Sequence, residues 1–210
     1  MSLPDPITLV ARAPVIPVLT IERAADAVPL ARALMDGGLP VLEVTLRTAA
    51  APEAIERIVA ELPDVVVGAG TLLHASDIET ALAAGARFLV TPGTPPPLAD
   101  ALARAGVPAL PGCATVSEAM ALAARGFSVL KFFPAEALGG AAWLAAVAAP
   151  LPHLRFCPTG GISDHNAAAY LALANVAAVG GSWVAPREAV RARDFARITE
   201  LARAAASLRR

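Results

Sequence analysis

The chain contains one lysine, Lys131, and it lies in an apolar run. Its neighbours spell Ser-Val-Leu-Lys-Phe-Phe-Pro, which is typical of a buried strand, whereas the rest of the 17 Lys plus Arg residues are arginines. An amine stripped of water can attack a ketone in its neutral form and give a Schiff base, which a permanently protonated guanidinium cannot do. The alternative is a lysine that extends from a strand end, or one that holds a phosphate as a point charge.

A second pattern is the alternation of polar and apolar residues in Val41–Arg47. Successive strand residues point to opposite faces, so Glu43, Thr45 and Arg47 share one face. If helices cover the apolar face, this polar face points into the interior, towards a site. Glu43 and Arg47 would then serve as general base and carboxylate clamp. The alternative is a structural ion pair.

Two glycine turns, Thr159–Gly161 and Gly180–Ser182, end the last two predicted strands. Phosphate sites of parallel barrels often use these two loops, where glycine lets the backbone approach the ligand closely. Thr71 and Pro92 end the third and fourth predicted strands, which makes them further candidate binding residues. We therefore expect the site at the carboxyl ends of the strands.

The elements that position these residues alternate along the chain as strand and helix. Eight such repeats in 210 residues predict an α/β fold, a single-domain (β/α)8 TIM barrel over residues 1–210. Ser117 is the predicted cap of one helix, and four glycines are predicted to end helices. The predicted strands are Val15–Ile21, Val41–Arg47, Val65–Thr71, Phe88–Gly93, Pro108–Ala114, Ser128–Phe133, Arg155–Gly160 and Val176–Trp183.

Composition argues against several other classes of protein. A net charge of −1 gives no electrostatic reason to expect nucleic acid or an anionic membrane as partner. The two cysteines, in apolar runs, predict buried reduced thiols, and the three scattered histidines predict no metal site. No signal peptide or unbroken apolar span is evident, so we expect a cytoplasmic protein. The Arg-rich tail from Arg187 is expected to form a solvated helix face.

On these motifs, the chain resembles the 2-dehydro-3-deoxy-6-phosphogluconate (KDPG) aldolase family, whose members also act on 4-hydroxy-2-oxoglutarate. The resemblance spans about Pro14 to Ala204. Pro4 and Pro6, in the short segment before the first strand, leave open whether the helix that plugs the barrel in relatives forms here. The motifs that carry the resemblance are Val41–Arg47, Gly68–Thr71, Thr91–Gly93, Pro111–Gly112, Lys131–Glu136, Arg155–Ile162 and Gly180–Trp183.

The resemblance implies a class I aldolase of the Entner–Doudoroff pathway that cleaves KDPG to pyruvate and D-glyceraldehyde 3-phosphate. No metal or organic cofactor is implied, the partner is a phosphorylated keto-acid substrate, and the family's usual homotrimer is expected. The resemblance also implies a role for each candidate: Lys131 forms the Schiff base, Glu43 is the general acid/base, Arg47 and Thr71 bind the carboxylate, Phe133 and Thr159 shape the pocket, and Gly160, Gly161, Gly181 and Ser182 hold phosphate.

Other functions stay open on the sequence. The preferred substrate could be the 6-phosphogalactonate epimer or 4-hydroxy-2-oxoglutarate. A non-covalent phosphosugar isomerase or epimerase on the same barrel would use Lys131 only as an anion anchor. A catalytically idle binding module is disfavoured, because the chain retains its lone lysine on an apolar strand together with the polar face of Glu43 and Arg47.

Overall fold

The structure is a computed structural model that describes residues 6–208, in which short strands alternate with helices. Residues 1–5, with Pro4, and 209–210 of the predicted domain lie outside the described residues. The strands are β1 Val15–Leu19, β2 Val41–Thr45, β3 Val66–Gly70, β4 Leu89–Val90, β5 Ala109–Leu110, β6 Gly112–Cys113, β7 Val129–Phe132, β8 Arg155–Pro158 and β9 Val179–Gly181. The helices are α1 Ile7–Val10, α2 Ala27–Asp36, α3 Ala51–Glu61, α4 Ala75–Ala83, α5 Pro96–Arg104, α6 Val116–Ala123, α7 Gly140–Ala148, α8 Ala167–Leu171, α9 Arg187–Ala192 and α10 Phe195–Ala206.

Every strand pairing among residues 6–208 is parallel, which confirms the α/β class. The strands form a six-stranded sheet in the order β5-β4-β3-β2-β1-β9 and a three-stranded sheet in the order β6-β7-β8. Two isolated parallel bridges, Phe156 to Val176 and Thr159 to Gly180, connect β8 to the segment that contains β9. The strands therefore run in one direction, and their carboxyl ends lie at the same edge.

The fifth predicted strand, Pro108–Ala114, is instead two short strands, β5 and β6, on either side of Pro111. Proline has no N–H to donate to a neighbouring strand, so the hydrogen-bond ladder is interrupted there. A side chain fills part of the gap, because the Gly112 N–H donates to Thr91 Oγ1 at 2.9 Å. The described chain thus has nine strands where eight were expected.

Two apolar clusters lie on opposite faces of the strands. Leu42 and Val44 of β2, with Leu130 of β7, belong to the large cluster that includes the helices. Val41 of β2 and Val129 of β7 belong to a smaller cluster on the inner face, near the strand starts. The alternation predicted for the second strand is therefore confirmed, and it leaves the inner face free for polar residues towards the carboxyl ends.

A short helix, α1, precedes the first strand despite the nearby prolines. Pro6 stands immediately before this helix, where its missing N–H costs no intrahelical hydrogen bond. Leu9 and Val10 are buried in the inner apolar cluster with Ile16 and Val129. This helix packs against the inner apolar cluster near the strand starts, so the question left open by the sequence is settled in favour of a helix.

The last helix, α10, packs against α2 at the other end of the chain. Thr199 Oγ1 donates to the Ala33 carbonyl at 3.0 Å, and a Cβ added to Gly37 would lie 2.3 Å from Ala202 Cβ. The helix that follows the first strand and the final helix are thereby held side by side. None of the helices described between residues 6 and 208 is both long and apolar enough to cross a lipid bilayer.

Helix ends follow local side-chain chemistry. The predicted cap Ser117 is wrong by two residues, because Thr115 caps α6 and exchanges hydrogen bonds with Glu118 in a capping box. The signal that could have found Thr115 is Glu118, three residues later, which completes the box. Ser117 already lies inside the helix. The four glycines predicted to end helices all have positive φ, which confirms them: Gly38, Gly85, Gly106 and Gly126.

Candidate active site

The lone lysine meets the predicted general base inside the fold. Lys131 Nζ, on β7, donates to Glu43 Oε1 at 3.1 Å and to Oε2 at 3.3 Å, across 88 positions of sequence. Lys131 is 4% exposed and Glu43 is 3% exposed. The amine also lies 5.7 Å from the ring centroid of Phe133. A buried carboxylate is thus placed to take a proton from the only lysine side chain.

A glycine that sequence reasoning did not single out makes room for this carboxylate. Gly70 ends β3, beside β2, and a Cβ added there would lie 2.0 Å from Glu43 Oε1 and 2.6 Å from its Cδ and Cγ. No real Cβ tolerates such an approach, so the Glu43 side chain occupies space that only glycine leaves open. The motif Gly-Ala-Gly-Thr contained this residue, but the crossing of Glu43 over it depends on the pairing of β2 with β3.

Gly70→Ala is expected to lower the rate of the reaction at this site by about 10²-fold, because moving a catalytic group by about 1 Å costs that much. The fold should survive, since the colliding atoms are the far end of a flexible side chain. Steady-state rates and thermal melting of the variant check both statements. Gly93→Ala is the matched control, because a Cβ at Gly93 meets nothing within 4 Å. Equal rates for Gly70→Ala and the parent would contradict this reading.

Arg47 and Thr71 are brought together at the ends of β2 and β3. Arg47 Nε donates to Thr71 Oγ1 at 3.0 Å. Thr71 has a φ of +61°, in the left-handed region that a β-branched residue rarely adopts. Such a conformation costs about 1–3 kcal/mol and persists where surrounding structure imposes it, often at functional sites. This backbone conformation places the Thr71 hydroxyl beside the guanidinium of Arg47.

A cavity of about 450 Å³ opens at the carboxyl ends of the strands. This volume lies within the range of about 300–1,000 Å³ that small-molecule sites occupy. Lys131, Glu43, Thr71 and Pro92 do not line it; Lys131 adjoins its wall through Phe133, and Thr71 through Arg47. The other candidate site residues do line it: Arg47, Phe133, Thr159, Gly160, Gly161, Gly181 and Ser182.

The two predicted glycine turns lie next to each other in this cavity. Thr159, at the end of β8, bridges to Gly180 of β9. A Cβ at Gly180 would lie 2.2 Å from Thr159 Oγ1, so glycine is required for the two turns to meet. Gly160 and Gly161 have φ values of +100° and +80°, which side chains rarely adopt. Both turns line the cavity, where their backbone can meet a ligand.

Charged residues also line the cavity, and the sequence did not predict that they would lie together there. They are Glu22, Arg23, Asp26, Arg187 and Arg191. Arg191 Nη2 donates to Glu22 Oε1 at 2.8 Å, and this contact lowers the pKa of the Glu22 carboxyl. Arg187 and Arg191 were expected on a solvated helix face, but α9 turns them towards the cavity. With Arg47 the cations outnumber the two acids, which favours an anionic ligand.

Other residues keep structural positions. Trp143 stacks on Phe132 with centroids 4.1 Å apart, whereas Trp183 lines the cavity. Cys113 and Cys157 are buried and are not joined in a disulfide, and burial raises the pKa of the Cys113 thiol to about 12. Among residues 6–208, no three His, Cys, Asp or Glu side chains are grouped so that they could hold a metal ion.

Comparisons with known proteins identify the family of the chain. The family model described as KDPG and KHG aldolase matches residues 7–201. The 2-dehydro-3-deoxy-phosphogluconate aldolase of Pseudoalteromonas atlantica is 50% identical over 192 residues, which cover 91% of this chain and 89% of that protein. The KHG/KDPG aldolase of Escherichia coli K12 is 48% identical over 91% of this chain and 90% of its own length.

Solved structures are equally similar. The KDPG aldolase of Legionella pneumophila, with pyruvate captured as a covalent carbinolamine intermediate, superposes with a TM-score of 0.95 at 45% identity, over 97% of this chain and 98% of the other. The Zymomonas mobilis aldolase with 3-phosphoglycerate has a TM-score of 0.91 at 46% identity, over 97% and 96%. On the family match and these identities, the chain belongs to the KDPG and KHG aldolase family.

Proposed function

We propose that the protein is a class I aldolase, a carbon–carbon lyase, that cleaves KDPG to pyruvate and D-glyceraldehyde 3-phosphate. The observation that carries the proposal is the buried contact of Lys131 Nζ with Glu43, 3.1 Å from Oε1. A lone amine enclosed beside a carboxylate, at the carboxyl ends of parallel strands, suits imine formation better than a surface anchoring role.

In the proposed reaction the Lys131 amine attacks the 2-keto carbon in its neutral form, and Glu43 remains a carboxylate. The carbinolamine takes a proton from solvent and loses water to give an iminium, which accepts the electron pair when the bond between carbons 3 and 4 breaks. Glu43, directly or through a water, takes the 4-hydroxyl proton as the aldehyde leaves, and it later returns a proton to the enamine. Hydrolysis of the imine then releases pyruvate and restores the amine, so that no metal or organic cofactor is required.

The remaining residues bind the two anionic ends of the substrate. Arg47, oriented by Thr71, binds the carboxylate and so turns the keto carbon towards the amine. Gly160, Gly161, Gly181 and Ser182 bind the phosphate at the other end of the cavity. Phe133 and Thr159 shape the wall between them. Pro92 borders the site through its backbone, which lies against Gly112.

The proposal includes a closed barrel for the whole chain. If β5 and β6 count as one strand, eight strands follow one another, and the bridges between β8 and the β9 segment support closure of the ring. Two buried cysteines that are not joined in a disulfide support a cytoplasmic location, where thiols stay reduced. Exposed apolar side chains on one face of α6, Val116 and Met120, support an interface between subunits, as the proposed homotrimer requires, and a monomeric sedimentation coefficient would contradict it.

A coupled assay for pyruvate release tests the function with three substrates: KDPG, its 6-phosphogalactonate epimer and 4-hydroxy-2-oxoglutarate. We expect KDPG to give the highest kcat/KM. The unphosphorylated substrate should be at least about 10²-fold poorer, because it lacks two or more charge-assisted hydrogen bonds to the glycine turns.

The same assay distinguishes the alternatives. Preference for the epimer would change the substrate but keep the chemistry, whereas equal kcat/KM with and without phosphate would contradict the phosphate site. Binding of sugar phosphates without any pyruvate release would instead favour the non-covalent isomerase or epimerase.

A further inference from the structure

The Thr159–Gly161 turn is held by the segment that follows the lysine strand. The Ala135 N–H donates to the Thr159 carbonyl at 2.9 Å, and the Glu136 N–H donates to the Gly160 carbonyl at 3.1 Å. These bonds continue the pairing of β7 with β8 past the ends of both strands. The turn therefore takes its position from the same stretch of chain that carries Lys131.

The side chain of Glu136 packs directly on this turn. A Cβ added to Gly161 would lie 2.6 Å from both Cβ and Cγ of Glu136, so the glutamate stem occupies the space beside the glycine. Glu136 as a whole is exposed to solvent. Charge at the start of a helix does not by itself explain this residue, because its carboxylate accepts a hydrogen bond from one particular side chain. A position chosen only for charge at a helix start would need neither contact.

That donor is the hydroxyl of Tyr170, the single tyrosine of the chain. Tyr170 lies on α8, the helix that follows the turn, and its hydroxyl donates to Glu136 Oε1. It is 1% exposed, and burial together with this hydrogen bond raises the pKa of the phenol above its usual value. Gly140 encloses the contact, since a Cβ there would lie 2.9 Å from the Tyr170 hydroxyl oxygen.

The turn is thus held on both sides. Glu136 fixes the Gly160 carbonyl, and Asn166 Nδ2 donates to the Gly161 carbonyl at 3.1 Å from the α8 side. The hydrogen bond between Tyr170 and Glu136 joins these two supports into one frame around a backbone conformation that needs positive φ. Without that link, the two supports would be free to move apart.

We propose that Glu136 and Tyr170 are positioning residues that hold the Gly160–Gly161 turn in the shape that binds the substrate's phosphate. The inference rests on the proposed function, because it assigns the phosphate to this turn. Since Glu136 follows Lys131 by five positions, the same segment sets the distance between the covalent handle and the phosphate site. A substrate with a phosphate should depend on this frame, whereas one without a phosphate should not.

The test uses Tyr170→Phe, Glu136→Ala and Glu136→Gln in the full-length enzyme. For Tyr170→Phe and Glu136→Ala, we expect the KM for KDPG and the inhibition constant of inorganic phosphate to rise about five- to tenfold, the effect of one typical lost hydrogen bond. The kcat for KDPG, and the kcat/KM for 4-hydroxy-2-oxoglutarate, should stay within about twofold. Glu136→Gln keeps an acceptor for the phenol and should restore most of the KM.

Controls and outcomes separate this inference from the proposed function. Glu61→Ala, an exposed glutamate at the end of α3, is the matched control and should leave every constant unchanged. Equal losses on both substrates, or an unchanged KM and phosphate inhibition, would overturn the positioning role alone. A parent enzyme that phosphate does not inhibit would overturn the phosphate site and with it this inference. If Tyr170→Phe does not fold, Glu136→Ala at its exposed position gives the same readout.

Discussion

Replacing Lys131 by arginine is expected to abolish aldol cleavage, with a loss on the order of 10⁶-fold in kcat, as when a covalent nucleophile is removed elsewhere. The guanidinium keeps a positive charge beside Glu43 but cannot form an imine, because it stays protonated. Arginine is preferred to methionine as the replacement. Leaving Glu43 buried without a cationic partner costs about 3–5 kcal/mol, which would confuse loss of chemistry with loss of folding.

Borohydride trapping with pyruvate makes the expectation specific to one atom. In the parent enzyme, reduction should leave a stable pyruvyl adduct on the peptide that contains Lys131, the only lysine side chain. The α-amino group is the remaining primary amine of the chain, so the amino-terminal peptide serves as the internal control. Retained activity in Lys131→Arg, or an adduct confined to the amino terminus, would rule out the proposed imine. If Lys131→Arg keeps its activity and a chelator then removes it, the result would point to a metal-dependent aldolase instead.

The sequence predicted the parts of the site that follow from local periodicity. Alternation in Val41–Arg47 placed Glu43 and Arg47 on one face, and Glu43 does lie on the inner face opposite Leu42 and Val44. The glycine turns were predicted from their places at strand ends, and parallel strands bring those ends to one edge. Phe133 was predicted from the family resemblance. A pattern of two residues per repeat needs no knowledge of which strands are neighbours.

The parts that were missed depend on contacts between distant segments. Gly70 matters because the Glu43 side chain crosses it, which requires β2 and β3 to be paired in a particular register. Arg191 reaches Glu22 across 169 positions, so its helix pattern alone predicted only a solvated face. The hydrogen bond between Tyr170 and Glu136 is of the same kind, since α8 must fold back over the glycine turn before the two side chains meet.

Two local departures of the backbone also could not be predicted from periodicity. Thr71 is a strand former by type, yet it adopts a φ of +61° where the chain leaves β3 towards Arg47. Pro111 lies in a stretch that is apolar throughout, and only its missing N–H divides the predicted strand into β5 and β6. In both cases the backbone departs from the pattern at or beside the carboxyl ends of strands, where the candidate site lies.

Glu43→Gln is expected to separate imine formation from proton transfer. The variant should still give the borohydride-trapped pyruvate adduct on Lys131, because glutamine fills the space above Gly70 and keeps an acceptor oxygen for the amine. Exchange of the pyruvate methyl protons with solvent should slow by about 10²–10⁴-fold, the usual contribution of a general acid–base group. Proton exchange followed by NMR in deuterated buffer, beside trapping on the same sample, gives both readouts.

The outcome also decides how the carboxylate acts. If Glu43 serves only as the charge partner of Lys131, Glu43→Gln should lower stability and leave exchange within about tenfold of the parent, which would contradict the acid–base role. Loss of trapping together with exchange would mean that Glu43 is needed to form the imine itself, and the proposed division of labour would be wrong. Glu61→Gln is the matched control. Gly70→Ala, which keeps the carboxylate but displaces it, should fall between the parent and Glu43→Gln in exchange rate, because distance rather than charge is then what has changed.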